Sequence, residues 1–347
     1  MKTILFVLSF SLLVAGCAQP GVSETGQLAE SAETTPPTVD KAASRDQVTL
    51  RLDWFYSSSH APFFLGIEKG WYRDAGIDLT LTEGKGSGSV VQLVGNGTDT
   101  FGYATSDTVI RGVQSGIPVR NVANIMPRTT DAIMVLKSSS ITSPDELRGK
   151  SIAVIAGSAA EVLLPEFLAG AGLSLNDVTV VTIDPALKIQ ALLNGLVDSE
   201  TQPAWASSYF EPAGGVNVFR YSDYGIVIVG YGLVTNTATI ENDPSLVTRF
   251  VNATLKAWHY SAEHPEEALK ALQRESAEHA RPEAVERDTH DLPLVLELAK
   301  PAAPGMPLGF NSAPDWEAMQ DLLIEYGIID ESRAVSDYMT NDFVTVE

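Results

Sequence analysis

The first segment of alternating apolar and polar residues in this sequence ends on side chains that could bind a small molecule. Residues 47–54 alternate in the manner of a β-strand with one buried face. Asp53 and Trp54 close the segment, and His60 follows a run of three serines. An indole can stack on a flat ring while a neighbouring carboxylate accepts hydrogen bonds from the ring's N–H groups. A tryptophan at a strand end is more often a core residue, so both interpretations stay open.

Two glycine-serine segments precede predicted helices further along the chain. They are Gly86-Ser87-Gly88-Ser89 and Gly157-Ser158-Ala159. Glycine allows a ligand to approach the backbone, serine offers a hydroxyl, and the N-terminus of a helix presents free N–H groups. Ser158 followed by Glu161 also fits a capping box, and such caps are common where no ligand binds. The two segments therefore indicate either ligand loops or ordinary helix starts.

Short strand-like segments alternate with helical ones through most of the chain. Predicted strands cover residues 47–54, 77–81, 100–104, 151–156, 178–183, 199–202 and 231–235. Predicted helices include residues 61–69, 90–94, 187–193, 244–263, 265–276 and 315–326. This order is typical of βαβ units and hence of an α/β fold with largely parallel sheets. Loops at the carboxyl ends of such strands are where ligands usually bind.

Residues at or near these strand ends form one set of candidate ligand contacts. Trp205 follows a predicted strand of the second half and offers a second aromatic face. The whole set is Asp53, Trp54, His60, Phe64, Ser87, Gly88, Ser89, Thr105, Ser106, Gly157, Ser158, Gln202, Trp205, Asp223 and Tyr224. We expect these side chains to face a common cleft.

The loops that carry these candidates contain more acidic than basic side chains. The acids are Asp53, Asp107, Glu161, Asp184 and Asp223, and the main cations are Lys85 and Arg128. Some of these acids cap helices or face solvent, so their number favours a ligand class without fixing it. It favours a neutral or cationic heterocycle that donates hydrogen bonds over an anion such as nitrate or a sulfonate.

An internal similarity indicates two lobes of similar build. The segment 92–97 (Gln-Leu-Val-Gly-Asn-Gly) is matched by 190–195 (Gln-Ala-Leu-Leu-Asn-Gly), and Asp99 or Asp198 follows each. Both segments place a helix, a glycine and then a strand in the same order. A match this short can arise by chance, but it agrees with the order of the predicted elements.

The N-terminus has the pattern of a lipoprotein signal peptide. Lys2 precedes an apolar run too short to span a membrane comfortably, and small residues lead to Cys17, the one cysteine of the chain. The Leu-Val-Ala-Gly-Cys sequence resembles the bacterial lipobox, in which the cysteine is lipidated and becomes the new N-terminus. Residues 18–45 lack aromatic side chains and apolar periodicity, which predicts a disordered tether. We expect a lipid-anchored protein on the extracytoplasmic face of the cell membrane.

Composition excludes several function classes. The formal charge of −21 argues against nucleic acid as a partner. Because no cysteine follows Cys17, the sequence after it offers no disulfide, thiol nucleophile or cysteine metal site. No nucleophile–base pairing or metal-ligand spacing is recognisable, and the histidines of the helical last third are interpreted as surface residues: His259, His264, His279 and His290. We predict no cofactor, no metal and no enzymatic activity.

Several separated segments resemble one family of bacterial substrate-binding proteins. They are Leu52-Asp53-Trp54, Ala61-Pro62-Phe63-Phe64, Gly70–Leu79 (GWYRDAGIDL), Ile141–Lys150 (ITSPDELRGK) and Asp243–Val247 with Ala253-Thr254. The family groups thiamine-pyrimidine-synthesis proteins with the nitrate, sulfonate and taurine receptors of ABC importers. The resemblance extends from about Gln47 to Phe343.

This resemblance implies a type II periplasmic-binding-protein fold, with two α/β lobes, two crossover strands and a ligand cleft between the lobes. Together with the N-terminal pattern, it divides the chain into a signal peptide (1–16), a lipidated cysteine and tether (17–46), a first lobe (47–130 and 234–347) and a second lobe (131–233). It also implies a monomer that hands its ligand to an ABC permease and ATPase.

Within the family, the acidic loops favour a pyrimidine precursor of thiamine, ahead of riboflavin or another flat heterocycle and then of a sulfonate. The family also includes pyrimidine synthases that are consumed in making their product and that use a histidine and a cysteine-rich motif. The absence of cysteine after Cys17 argues against that activity.

Overall fold

The computed structural model describes residues 45–226 and 228–345. Its strands are β1 (Asp46–Arg51), β2 (Ile77–Thr82), β3 (Phe101–Thr105), β4 (Val119–Asn124), β5 (Asp131–Leu136), β6 (Ser151–Val154), β7 (Thr179–Thr182), β8 (Ser199–Pro203), β9 (Val216–Arg220) and β10 (Tyr231–Asn236). Its helices are α1 (Ala61–Glu68), α2 (Trp71–Asp74), α3 (Ser87–Gly95), α4 (Ser106–Gln114), α5 (Ala159–Val162), α6 (Leu164–Gly170), α7 (Lys188–Leu193), α8 (Thr237–Asn242), α9 (Pro244–Glu263), α10 (Pro265–Glu275), α11 (Pro282–Leu298) and α12 (Ala313–Glu325). The predicted signal peptide, Cys17 and residues 18–44 of the tether lie outside the described residues. Among the described helices, none has both the length and the apolar content needed to cross a bilayer.

The strands form two sheets, and each sheet with its helices is called a lobe. Lobe 1 has the order β2-β1-β3-β10-β4, in which β1 is parallel to β2 and β3 and β10 is antiparallel to both neighbours. Lobe 2 has the order β7-β6-β8-β5-β9, in which β6 is parallel to β7 and β8 and β5 is antiparallel to both neighbours. One strand in each sheet therefore runs against the other four, and the predicted α/β fold class is confirmed.

The two sheets are built in the same order, which is the relationship that the short repeat predicts. In each lobe a helix connects the edge strand to the strand in third position of the sheet. In lobe 1, α3 connects β2 to β3, and in lobe 2, α7 connects β7 to β8. Each helix is followed by a glycine in the left-handed region, Gly97 with φ 77° and Gly195 with φ 67°. The aspartate after each glycine contacts the strand in second position of its own sheet, β1 or β6: Asp99 pairs with Arg51 at 2.9 Å, and Asp198 accepts from the N–H of Ser151 at 2.8 Å.

Two connections join the lobes, residues 125–130 after β4 and residues 221–230 after β9. They are hydrogen-bonded to each other, since the N–H of Gly230 donates to the carbonyl of Met126 at 3.1 Å. Ser106, the first residue of α4, donates to the carbonyl of Gly230 from both its N–H and its hydroxyl, at 2.9 Å each. The end of β3 is thereby fixed to the segment about which the lobes would move.

Aromatic side chains fill the core of lobe 1. Phe101 of β3 stacks on Phe250 of α9 with ring centroids 3.9 Å apart, and Phe63 of α1 meets Trp258 edge-on at 5.7 Å. Large rings of this kind contribute much of the apolar area that a core removes from water. A second core joins side chains of both sheets with α12, whose Trp316 is fully buried.

The helix α11 is the long element that the sequence analysis does not predict. It contains Pro293, which removes a helical hydrogen bond and weakens the sequence pattern. Its position is informative, because it packs against α10 of lobe 1 and also against residues 204–213 of lobe 2.

One of the four histidines interpreted as surface residues is buried, so the prediction for His279 is wrong. Its Nδ1 lies 2.5 Å from a carboxylate oxygen of Asp288 and its Nε2 lies 2.9 Å from the carbonyl of Tyr56. These partners lie far away in sequence or beyond a loop, so no local pattern reveals them. The other three are exposed, as predicted: His259, His264 and His290.

Candidate functional site

Residues following β1, β3, β6 and β8 face one another where the two lobes meet. A guanidinium N–H of Arg111, on α4 of lobe 1, donates to the carbonyl of Gly157, in the loop after β6 of lobe 2, at 3.1 Å. This contact spans the cleft between the carboxyl ends of the two sheets. The candidate site is built from the polar groups around it.

The loop after β1 holds a buried histidine against a carboxylate. The Nε2–H of His60 donates to Oδ1 of Asp53 at 2.8 Å, and the Ser57 hydroxyl lies 3.3 Å from its Nδ1. His60 is fully buried, whereas Asp53 keeps part of its surface exposed. The carbonyl of Asp53 also accepts from the N–H of Gly86 at 2.7 Å, which ties the glycine-serine segment to this loop. The arrangement leaves the second oxygen of Asp53 able to accept from a ligand.

The two tryptophans of the predicted site have different surroundings. Trp54 is partly buried and meets the exposed Phe55 edge-on, with centroids 5.6 Å apart. Trp205 is partly buried and packs against the core of lobe 1, although it follows β8 of lobe 2. Trp205 therefore contributes to the contact between the lobes, and Trp54 is the freer of the two rings.

The start of α4 carries a fully buried carboxylate. Oδ2 of Asp107 accepts from Arg111 at 2.9 Å, while Oδ1 has no partner among the described residues. Thr105 and Thr108 share a hydrogen bond of 2.8 Å beside it. An unpaired buried carboxylate oxygen is costly, and a ligand that donates a hydrogen bond to it would remove that cost.

Lobe 2 contributes two acids and one lysine. Lys188, the first residue of α7, donates to the carbonyl of Thr201 and is almost fully buried. Burial lowers the pKa of Lys188 to about 8, although Glu200 and Asp131 act in the opposite direction. Burial raises the pKa of Asp131 to about 6 and that of Glu200 to about 7. Both carboxylate oxygens of Glu200 are buried without a partner among the described residues.

Two stacked tyrosines lie between these charged groups. The rings of Tyr103, in β3, and Tyr231, in β10, are 5.1 Å apart at their centroids. Burial raises the pKa of both phenols well above the usual value, and the charge of Asp53 adds to the rise for each. Asp131 and Asp107 also raise the pKa of Tyr231, so acids of both lobes are close enough to act on one phenol. We call Asp53, Asp107, Asp131 and Glu200 the acidic cluster.

Several buried polar atoms around the cleft have no hydrogen-bond partner among the described residues. They are Oγ of Ser58, the hydroxyl of Tyr103, Oδ1 of Asp107, Nε of Arg111, Oγ1 of Thr130 and both carboxylate oxygens of Glu200. Buried polar atoms in proteins are nearly always paired, so such a concentration points to groups that bind something else.

Most of the predicted serine and threonine contacts are used by the protein itself. The hydroxyl of Ser87 accepts from the N–H of Thr105 at 3.1 Å, and that of Ser89 donates to the carbonyl of Gly86 at 2.7 Å. Ser106 is fully buried and donates to the carbonyl of Gly230 in the second connection between the lobes. These residues shape the cleft, and a ligand would compete with existing bonds for their hydroxyls.

The glycine-serine segment of lobe 2 forms a helix cap, which is one of the two interpretations of the sequence. The hydroxyl of Ser158 accepts from the N–H of Glu161 at 3.1 Å, and the Glu161 carboxylate accepts from the N–H of Gly157 at 2.6 Å. What reaches the cleft from this segment is the carbonyl of Gly157. Gly88, in the first segment, is exposed.

The remaining candidates lie in three places. Phe64 is buried in the core of lobe 1, where its ring meets Tyr56 edge-on at 4.9 Å. Gln202 is partly buried at the end of β8. Asp223 is exposed, and Tyr224 packs on Phe167 of α6 at 5.1 Å, so the structure groups this pair with α6 and not with the acidic cluster.

The cations expected in the candidate loops are replaced by two others. Arg128 pairs with Asp315 at 2.8 Å, and Lys85 is exposed. The cations beside the acidic cluster are Arg111 and Lys188. Sequence reasoning missed both, along with Tyr103, Asp131, Glu200 and Tyr231, because strand pairing and helix packing bring these residues together and no local spacing shows it. A signal was present in β5 and β8, where a single acid interrupts or begins a buried strand.

Comparisons with known proteins agree with this architecture. The family model described as "NMT1/THI5 like" matches residues 57–268. A formylaminopyrimidine-binding protein of Halalkalibacterium halodurans is 24% identical over 291 residues, covering 83% of this chain and 87% of the relative. A 4-amino-5-hydroxymethyl-2-methylpyrimidine phosphate synthase of Legionella pneumophila is 24% identical, covering 86% and 93%. The riboflavin-binding protein RibY of Chloroflexus aurantiacus is 24% identical, covering 96% and 95%.

Among solved structures, the alkanesulfonate-binding protein SsuA of Xanthomonas axonopodis pv. citri superposes with a TM-score of 0.69 at 20% identity, covering 86% of this chain and 100% of that chain. At this identity the similarity establishes the fold alone, and it agrees with the predicted periplasmic-binding-protein architecture. The family model spans more than half of the sequence. The chain therefore belongs to the NMT1/THI5-like family.

Proposed function

We propose that this protein is an extracytoplasmic binding lipoprotein that captures a thiamine pyrimidine precursor and delivers it to an ABC importer. The observation that carries the proposal is the acidic cluster, in which carboxylates of both lobes converge and several buried oxygens lack a partner. The carboxylate oxygens among them, Oδ1 of Asp107 and both oxygens of Glu200, accept hydrogen bonds and favour a ligand rich in N–H groups or carrying positive charge, whereas the unpaired hydroxyls can donate as well as accept.

The balance of charge at the cleft argues against an anionic ligand. The site holds four carboxylates and two cations, and each cation already donates to the protein: Arg111 to Asp107, and Lys188 to the carbonyl of Thr201, although Nε of Arg111 has no partner among the described residues. A sulfonate or nitrate could accept from Nε of Arg111 and from the unpaired hydroxyls, but it would meet repulsion from the acids. An aminopyrimidine ring supplies N–H donors and a flat face for Trp54.

The relatives support two different heterocycles as the ligand. The formylaminopyrimidine-binding relative supports a pyrimidine, and the riboflavin-binding relative, which matches almost the whole chain, supports a larger flat ring. Both ligands stack and both carry N–H groups. They differ in size, so calorimetry with each compound separates them.

The decisive experiment is titration calorimetry of the protein with formylaminopyrimidine, riboflavin, taurine and nitrate. We expect saturable binding of formylaminopyrimidine at micromolar or lower Kd and no heat with the two anions. Binding of the anions alone would overturn the choice of ligand. Binding of riboflavin alone would replace the pyrimidine with the second candidate and leave the receptor role in place.

A synthase role makes a different prediction. The synthases of this family are consumed in making their product, so a chain with that activity would change in mass on incubation with its reactants. We expect the intact mass to stay constant while ligand binds reversibly and is recovered unchanged. A change in the intact mass would support the synthase instead.

The lipid anchor has its own test. Cys17→Ser removes the predicted site of lipidation, so the protein should move from the membrane fraction to the soluble extracytoplasmic fraction while its affinity for ligand is unchanged. Cell fractionation followed by calorimetry measures both. Retention of the variant at the membrane would contradict the anchor.

A further inference from the structure

We propose that Arg111 is a positioning residue that couples a ligand held by Asp107 to closure of the two lobes, an inference that rests on the ligand-binding role proposed above. One nitrogen of its guanidinium, Nη2, lies within hydrogen-bond distance of three oxygens. They are Oδ2 of Asp107 at 2.9 Å, Oγ1 of Thr108 at 2.9 Å and the carbonyl of Gly157 at 3.1 Å. The first two belong to lobe 1 and the third to lobe 2.

On the side of lobe 1, Arg111 fixes the orientation of the Asp107 carboxylate. The two residues are four positions apart on α4, the spacing at which helical side chains meet. Because Oδ2 is held by Arg111, rotation of the carboxylate is restricted and the unpaired Oδ1 is presented in one direction. A ligand that donates to Oδ1 therefore meets an acceptor already in place.

On the side of lobe 2, the acceptor is also fixed before the lobes meet. Gly157 has φ 72°, and its N–H donates to the Glu161 carboxylate at 2.6 Å, which holds the peptide in the loop after β6. Its carbonyl accepts from Arg111 at 3.1 Å, so this bond joins the two lobes directly. Separation of the lobes at this point would break it.

These two roles meet on one nitrogen, which is the physical basis of the coupling. A ligand on Asp107 stabilises the carboxylate orientation that holds Arg111 extended, and an extended Arg111 donates to lobe 2. By linkage, closure that engages Arg111 in turn favours the orientation of Asp107 that binds ligand. Burial of most of the Arg111 side chain strengthens its charge-assisted bond to Asp107 relative to a bond in water.

An ordinary ion pair within α4 is the alternative, and it would affect folding without affecting closure. Arg111→Gln keeps a polar side chain but loses the forked, charged donor, and Arg111→Lys keeps the charge with a different geometry. The matched control is Arg333→Gln. Arg333 also donates to a carboxylate, that of Glu331, and to a carbonyl, that of Val113, but these acceptors belong to lobe 1.

The test measures lobe separation and affinity together in the full chain carrying Cys17→Ser. Gln92→Cys in lobe 1 and Gln190→Cys in lobe 2 are both exposed and provide the only cysteines for spin labels. Distances between the labels are measured with and without formylaminopyrimidine, and Kd is measured by calorimetry.

We expect ligand to shift the wild-type distances to a shorter, narrower distribution. In Arg111→Gln the short distances should lose population even without ligand, and Kd should rise at least tenfold. Arg111→Lys should be intermediate, and Arg333→Gln should match the wild type. Wild-type closure and Kd in Arg111→Gln would overturn the inference. Absence of any binding by the wild type would instead overturn the proposed function, while the ligand-free distances would still decide whether Arg111 holds the lobes together.

Discussion

The two lobes have the same strand order but place their polar groups differently. In lobe 1, Asp53 and His60 lie in the segment after β1, and Asp107 is the second residue of α4. In lobe 2 the polar groups belong to the elements themselves: Glu200 lies in β8 and Lys188 begins α7. The equivalent loop of lobe 2, after β6, supplies a helix cap and one carbonyl.

This difference shows that a shared topology does not impose a shared chemistry at the cleft. Loop residues can change without disturbing a sheet, whereas charges within strands and helices must be compensated by neighbours. Lobe 1 therefore offers one partly exposed carboxylate on a loop, Asp53, beside the fully buried His60 and Asp107. In lobe 2, Lys188, Asp131 and Glu200 form an ionic group. A change to this group should affect both ligand binding and the stability of the fold.

The largest effect is expected from breaking the ionic group of lobe 2. Lys188→Met leaves Asp131 and Glu200 buried without their cation, which should lower the free energy of unfolding by about 3–5 kcal/mol. Adding Glu200→Gln should recover part of the loss, because one of the uncompensated acids is then removed. Urea denaturation of the single and double variants measures this, with exposed Lys137→Met as the control from the same lobe. Equal stability of Lys188→Met and Lys137→Met would contradict the role of the ionic group.

The two tryptophans offer a second contrast between the lobes. Trp54→Ala should weaken ligand binding by about 1–3 kcal/mol through lost stacking while leaving stability nearly unchanged. Trp205→Ala should weaken binding and also lower stability, because Trp205 packs on the core of lobe 1. Calorimetry and thermal unfolding separate the two patterns. If Trp54→Ala bound normally, its stacking role would be wrong even though the fold is right.

The sequence predicts correctly those features that depend on residues close together in the chain. The strand and helix order depends on apolar periodicity and on caps such as Asp243, whose side chain accepts from the N–H of Leu246 at the start of α9. Asp53 and His60 are close in sequence, so the local pattern could assign both to one site. Asp131, Glu200 and Lys188 meet only through the pairing of β5 with β8 and the packing of α7, which no local pattern contains.

The acidity of lobe 2 should make binding depend on pH. The pKa of Asp131 is raised to about 6 and that of Glu200 to about 7, so both become better acceptors as the pH rises from 5 to 8. Affinity for a hydrogen-bond-donating ligand should therefore rise by about tenfold over this range, which corresponds to about 1.4 kcal/mol.

Stability without ligand should change in the opposite direction. A carboxyl group whose pKa is raised by folding holds its proton more tightly in the folded state, so stability falls as the pH rises through 6 and 7. Lys188, with its pKa lowered to about 8, should return stability as the pH rises above 8. Kd and the unfolding midpoint measured at each pH test both signs, and Glu200→Gln should flatten both profiles. An affinity that falls between pH 5 and 8 would argue that the acids bind in their protonated form.

The smallest expected effect concerns the glycines that end α3 and α7, where the lobes should behave alike. Gly97 and Gly195 have φ of 77° and 67°, and a Cβ atom would meet no other atom within 4 Å at either position. Alanine there should cost only the strain of the left-handed backbone, about 1 kcal/mol in each lobe. Gly88→Ala is the control, because Gly88 lies inside α3 without positive φ and with equally open space, so alanine should leave stability unchanged or raise it slightly. Equal losses of unfolding free energy in the two variants, measured by urea denaturation, would show that both lobes need a left-handed glycine at this turn. A loss in one lobe alone would limit the similarity to strand order.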